Sequence, residues 1–362
     1  MWFEIRVGLG ELLDRLIIAR LRQRRFEEPL ARAIATRDVE ALETILTDRM
    51  GPVEEMESQA RVAYGALSSL NRRVWDLETR VRYAPRTESV DPIAREIRML
   101  NDVRSAIKVS VDVMGGNVET LGKIYRGSGD DLERLRRAPP AVLFDLDGVL
   151  ADTERLKAAA HVQTVAVLGG RLSEDFYAEL LGRSQRDVAT TAIERSGVNA
   201  SLDQYNAIFG ERYLNLIRQG IRPVVGALDL VARVRECGLR LCLVTSSSLA
   251  LATEVLASIG VDIELFTLVT SGDDSPRHKP SSEPYLSVLQ ALWIDPDRTL
   301  AIEDTAPGVA SASKVGVPVV AVRHVLNARH DFGAARYIVD TLADDRLQGD
   351  VCALSKSCTA EM

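Results

Sequence analysis

An apolar run, Val142-Leu143-Phe144, ends in Asp145, and a second carboxylate follows two residues later at Asp147, just before Gly148. Three other stretches end in comparable fashion. "LCLVTSSS" closes on Thr245 with Ser246, Ser247 and Ser248 behind it, "RHKPSSEPY" carries Lys279, and "TLAIED" ends in Glu303 and Asp304. Carboxylates gathered in one crevice repel each other unless a cation sits among them. Hard oxygen donors suit Mg²⁺, which keeps several waters and accepts a phosphate oxygen as a further ligand. A carboxylate nucleophile also repels an incoming phosphate, by roughly 4 kcal/mol for unit charges ~4 Å apart at an effective dielectric near 20. A divalent ion and the Lys279 ammonium would offset that repulsion and stabilise the transferring group. The chemistry this set suggests is attack of Asp145 on phosphorus to give an aspartyl-phosphate. Asp147 then exchanges a proton first with the leaving oxygen and later with water. Thr245 holds a phosphoryl oxygen.

These residues must be brought together by the elements that carry them. After Pro139-Pro140, short β-rich runs at 141–145, 239–245, 265–271, 299–304, 317–322 and 336–340 alternate with helical stretches. That alternation predicts an α/β fold, a doubly wound parallel sheet covered on both faces. Parallel strands deliver their carboxyl ends to one edge, where ligands bind in such sheets. Between residues 155 and 222 only helical patterns occur, which predicts a helical cap inserted after the first strand. The first 139 residues read as an all-α bundle, with Leu12, Leu13, Leu16, Ile17 and Leu21 on one stripe and Leu67, Leu70, Val74, Leu77 and Val81 on another. The expected organisation is a helical bundle at 1–139, a catalytic core at 140–154 and 223–350, a cap at 155–222 and a tail at 351–362. The Gly-, Ser- and charge-rich run 126–138 leads into the first boundary.

With 362 residues, 46% of them hydrophobic and 27% charged, the chain has apolar material for two or three domains. The first 139 residues carry a net charge of +1 and the remainder −8. Neither part shows a basic stripe interleaved with aromatics, so nucleic acid is not an expected partner. No apolar run reaches the ~18 residues of a membrane span. The start, "MWFEIRVGLGEL", does not read as a signal peptide, and Cys237, Cys242, Cys352 and Cys358 form no C-x-x-C pair. Reduced thiols in a cytoplasmic protein are the expectation.

"FDLDGVLADTE", "LVTSS", "HKP" and "IEDTAPGV", in that order, resemble the four motifs of the haloacid dehalogenase superfamily. The resemblance covers residues 141–345. It is similar to the branch with a small helical cap, which includes phosphoglycolate phosphatase, sugar-phosphate phosphatases and β-phosphoglucomutase. It implies a Rossmann-like core, with Asp145 as nucleophile, Asp147 as acid and base, and Thr245 and Lys279 as phosphoryl-binding groups. It also implies Mg²⁺ held by Asp145, Asp304 and the Asp147 carbonyl, with Glu303 in support. Ser246, Thr153, Lys157 and Arg183 are the candidate substrate contacts, and a small phosphorylated metabolite is the expected substrate. Mutases of this kind carry a histidine at the position aligned with Lys157 and an arginine at that aligned with Gln185, so a phosphatase is preferred here and a phosphomutase is the alternative. Residues 1–139 read as a packing and oligomerisation module. A partner-binding region, which would make this an interaction or regulatory protein, is the alternative of another class. The four histidines, His161, His278, His324 and His330, are scattered and read as bystanders.

Overall fold

A computed structural model of the protein describes residues 8–85, 90–114, 139–173, 175–275 and 277–356. The run 126–138 that precedes the expected boundary lies outside these up to Pro139. The chain divides into two compact units. One is drawn from Met1–Ala138 and Leu268–Asp295, the other from Pro139–Thr267 and Pro296–Met362.

The first unit contains helices α1 (Leu9–Arg25), α2 (Pro29–Met50), α3 (Ser58–Tyr83) and α4 (Asp91–Met114), with strand β3 (Leu268–Thr270) and helix α11 (Glu283–Leu292), numbered along the chain. Helix α2 starts at Pro29, where a missing N–H costs nothing, and the Glu28 carboxylate accepts from the backbone N–H groups of Leu30 and Ala31. Gly51, at φ +79°, ends it. The predicted apolar stripes are mostly inside: Leu13, Leu16, Ile17, Leu67, Leu70 and Leu77 are all buried, whereas Leu21 and Val81 are only half-buried. Helix α3 is buried on most of its circumference, because it packs against α1 and α4 and also against β3 and α11. Asp14 is buried with its charge met from two sides, by Asn71 Nδ2 at 2.8 Å and by Arg104 Nε and Nη2 at 3.0 Å each.

The second unit is built on parallel strands β1 (Ala141–Phe144), β2 (Arg240–Val244), β4 (Thr299–Glu303), β5 (Val319–Val322) and β6 (Tyr337–Val339), in the order β2-β1-β4-β5-β6. Strands β1 and β4 are buried throughout, which is why they read as unbroken apolar runs. The register sets Phe144 opposite Leu243 on one side and Ile302 on the other. Asp145, Val244 and Glu303 therefore come level at the carboxyl edge, with Thr245 one residue beyond. Helices α9 (Ala227–Glu236), α10 (Leu249–Ser258), α12 (Ala306–Ser313) and α13 (Asp345–Lys356) accompany the sheet. Cys237 and Cys352, which show no pairing by spacing, are spatial neighbours, their sulfurs 3.6 Å apart as thiols. No helix among the described residues is long and apolar enough to cross a membrane.

The helical insertion comprises α5 (Glu154–Val167), α6 (Asp175–Ala178), α7 (Gln185–Ser196) and α8 (Leu202–Gln219). Ser184 and Ser201 cap α7 and α8 by accepting from backbone N–H groups three residues on. The insertion has its own core, which includes Phe176, Tyr177, Leu181, Ala189 and Tyr205. Its two connections to the sheet run side by side: Asp152 N–H donates to the Arg222 carbonyl at 2.9 Å and Val224 N–H to that of Leu150 at 3.1 Å. His161 stands fully buried among the aromatic rings, stacked 4.2 Å from Phe209, with Nδ1 2.9 Å from the Tyr205 hydroxyl. Burial lowers its pKa to about 3, with the Lys157 charge adding to the effect. Its folded pKa lies below the unfolded value, so the unfolded chain takes the proton first. The contribution to stability is full above pH ~6.5 and is lost as pH falls toward 3, amounting to a few kcal/mol on the order-of-magnitude scale of linkage. His161→Phe should flatten the pH dependence of urea midpoints across that window. An unchanged slope would show that the imidazole is not the responsible group.

Candidate active site

Asp145 leaves β1 with its N–H donated to the Ile302 carbonyl at 3.0 Å. The chain then turns sharply: the Leu146 carbonyl accepts from Leu150 and Ala151, and Gly148 sits at φ +73°. This turn brings Asp147 back beside the strand ends. Two glycines make room for the acids. A Cβ on Gly148 would lie 2.1 Å from Asp304 Oδ2, and one on Gly308 would lie 1.9 Å from Glu303 Oε2. Neither position has space for a methyl group.

Asp145, Glu303 and Asp304 are all buried, and each presents a carboxylate oxygen within 4.8 Å of the others. Asp304 shows the strain of that arrangement. Burial raises its pKa well above the carboxylate range, and repulsion from Glu154, Asp145 and Asp147 raises it further, against the opposing Lys157 charge. Its Oδ1 is buried without a hydrogen-bond partner, whereas Oδ2 lies 3.0 Å from His324 Nε2. Asn327 Nδ2 donates to the Asp304 carbonyl at 2.7 Å and to that of Val322 at 2.8 Å, which fixes the backbone behind the carboxylate. A buried carboxylate oxygen with no donor, inside an all-oxygen donor set, fits a hard divalent cation.

Asp147 differs from its neighbours. Burial pushes its pKa up, but the Lys157 ammonium and the hydroxyls of Thr153 and Ser247 outweigh that and hold it below the usual range. Lys157 Nζ lies 3.1 Å from Asp147 Oδ1 and 2.8 Å from Glu154 Oε1, and Ser247 Oγ donates to Asp147 Oδ2 at 2.8 Å. Lys157 is correspondingly raised well above the ordinary lysine value; burial opposes the charge, and Asp147 and Glu154 more than compensate. The Tyr177 hydroxyl donates to Glu154 Oε2 at 2.7 Å, so this chain of contacts runs from the sheet edge into the insertion.

The other expected residues divide. Thr245 is buried, with Oγ1 accepting from Ser247 N–H at 3.0 Å. Thr153 is buried beside Asp147. Ser246 and Arg183 are exposed. Lys279 belongs to the first unit, in the loop after β3, with Nζ 5.6 Å from the centre of the Tyr285 ring. His324, read from sequence as a bystander, touches the acidic cluster; its place two residues after β5, at the same sheet edge, is the signal that could have found it. Ser247 holds Asp147, and Glu154 and Tyr177 were not anticipated. Glu154 immediately follows the motif residue Thr153 and opens α5, one turn before Lys157.

The sequence model for haloacid dehalogenase-like hydrolases matches residues 142–322. The protein CbbY of Cereibacter sphaeroides is 31% identical over 216 residues, which cover 56% of this chain and 93% of that one. A phosphorylated carbohydrates phosphatase of Thermotoga maritima is 28% identical over 188 residues, 52% of this chain and 87% of its own. Among solved structures, CbbY from Rhodobacter sphaeroides in complex with phosphate superposes with a TM-score of 0.52 at 27% identity, covering 57% of this chain and 96% of that one. A single-residue mutant of the same CbbY, in complex with xylulose-(1,5)bisphosphate, superposes with a TM-score of 0.53 at 26% identity over the same shares.

Proposed function

Because the chain belongs to the haloacid dehalogenase-like hydrolases, with hydrolase activity on a small phosphorylated substrate, we propose that it is a Mg²⁺-dependent phosphatase acting on a sugar phosphate or similar metabolite through a phospho-aspartate. The observation that carries this reading is the convergence of the Asp145, Glu303 and Asp304 oxygens within 4.8 Å at the strand ends, one of them a buried oxygen of Asp304 without a donor. Xylulose-(1,5)bisphosphate in the CbbY complex and the name of the Thermotoga maritima relative support a phosphorylated carbohydrate as the substrate class.

Asp145 and Asp304, with Glu303 beside them, would hold the divalent cation. When bound, it supplies positive charge against the anionic ester. Asp145 is the nucleophile: one of its oxygens bonds to phosphorus as the bond to the leaving oxygen breaks. Asp147 hands its proton to that oxygen and then takes one from the water that cleaves the acyl phosphate. The first half needs Asp147 to have taken a proton from solvent; once that proton is given up, the pairing with Lys157 and Ser247 favours the ionised form, the one required for the second half. Thr245 and Lys279 bind the phosphoryl oxygens, with Ser246, Thr153 and Arg183 as further substrate contacts.

Purified protein should release phosphate from p-nitrophenyl phosphate with Mg²⁺, stop with EDTA and recover when Mg²⁺ is returned. A panel of phosphorylated metabolites should then favour sugar phosphates. Release that ignores chelation, or none from any ester in the panel, would overturn the reading. In a coupled assay for isomerisation of a sugar phosphate, the phosphomutase alternative, no product is expected.

A further inference from the structure

Helix α3 carries a polar row on one face: Arg61, Gly65, Ser68, Ser69 and Arg72, spaced 4, 3, 1 and 3 residues apart. Such a row is the usual mark of a solvent-facing side. Here it is turned inward onto the segment 268–295, and both arginines are buried. Arg72 grips the start of that segment. Its Nη1 and Nη2 meet Asp274 Oδ1 at 3.1 Å and Oδ2 at 2.7 Å, and Nη2 also donates to the Val269 carbonyl. Ser68 Oγ donates to Asp274 Oδ1 at 2.6 Å, and Ser69 pairs with Thr270 at 3.1 Å. Asp274 in turn ties its own loop, accepting from Ser271 N–H at 2.8 Å and from Ser271 Oγ at 2.7 Å. Burial pushes the Asp274 pKa up, but Arg72, Ser68 and Ser271 hold it below the usual carboxylate range. At the other end, Arg61 Nε and Nη2 hold Glu283 at 2.7 to 3.1 Å, and Arg61 Nη1 donates to the Met56 carbonyl. The helices approach closely there, since a Cβ on Gly65 would come 2.5 Å from Ser287 Oγ.

Lys279 lies between the two grips, five residues after Asp274 and four before Glu283. Helix α3 lies outside the family match at 142–322, so these grips are an addition by this chain's own N-terminal region. We infer that Arg72, through Asp274, is a positioning residue for Lys279, and that α3 fixes both ends of the loop that carries this lysine. The inference rests on the role given to Lys279 above. A bidentate guanidinium–carboxylate pair restricts direction as well as distance, and a misplacement of about 1 Å at a group that meets the reacting phosphate costs on the order of 100-fold in rate.

The test uses the full chain with Arg72→Met and Asp274→Leu combined, which removes the pair without leaving a buried charge. Hydrogen exchange of residues 271–282 reads the loop directly. Turnover of p-nitrophenyl phosphate with Mg²⁺, with and without Lys279→Ala, reads the consequence in a double-mutant cycle. The inference expects a folded protein with faster exchange in the loop, kcat/KM down about 100-fold, and little further loss when Lys279→Ala is added. Unchanged exchange overturns the anchoring. Faster exchange with an undiminished effect of Lys279→Ala overturns the positioning. If the pair replacement fails to fold, Arg72→Lys, which keeps the charge and loses the two-pronged geometry, is read by the same two measurements with the same outcomes decisive. Absence of turnover in the wild-type protein sinks the proposed function, while the exchange result still decides whether α3 holds the loop.

Discussion

Asp145→Asn is expected to lower phosphate release by roughly 10⁴-fold or more, the scale on which loss of a nucleophile is felt. The amide matches the carboxylate in shape but lacks its negative charge and its nucleophilicity. The fold should survive, and the melting temperature should hold or rise. The reason is electrostatic: Asp145 is one of the acids whose repulsion lifts the Asp304 pKa, so removing its charge relieves strain in the metal-free protein. The measurement is phosphate release together with thermal unfolding, both without Mg²⁺ and with it. Turnover close to wild type would remove Asp145 from the nucleophile's role. A large fall in stability would show that the cluster does not repel as described.

Arg61→Ala is expected to destabilise the protein by about 3–5 kcal/mol, the cost of leaving a buried carboxylate without its partner. Glu283 is 3% exposed, and its charge is met by Arg61 in a bidentate contact, with Ser58 Oγ more distant at 3.4 Å. Replacing both partners, Arg61→Met with Glu283→Leu, should recover most of the loss, because the desolvation cost leaves with the charges. Urea midpoints for wild type, the single variant and the double variant decide it. A single variant within ~0.5 kcal/mol of wild type would mean that water reaches Glu283. The effect has a structural meaning, because it reports how firmly the N-terminal helices hold segment 268–295.

The two acid-bearing strand ends were legible because their signal is local. Asp145 ends an apolar run, Glu303 and Asp304 end another, and the parallel register brings such ends level. The helical insertion was equally plain, since a stretch of more than sixty residues with only a 3.6-residue period stands out from strand–helix alternation. What could not be read depends on partners distant in sequence. Arg61 meets Glu283 222 residues away, and Arg72 meets Asp274 202 residues away. A polar row on a helix ordinarily marks its wet side, so nothing local pointed to those partners. His324 was missed for a similar reason: one histidine after a strand carries no motif, and only the fold shows that Asp304 lies opposite it. Ser246 and Ser247 could not be ranked from sequence, because which of two adjacent serines turns toward Asp147 depends on the geometry of the turn.

The two connections between the insertion and the sheet are laced together at Asp152–Arg222 and Leu150–Val224. A single tether would let the helices swivel and drift. Two tethers stitched side by side resist twisting and splaying apart, so a swing of the insertion would have to fold across the ribbon, like a door on its hinge plate. Lys157, three residues into α5, rides on that door with its ammonium on Asp147. Any such swing would carry the Lys157 ammonium away from Asp147 and change the charge that this carboxylate feels.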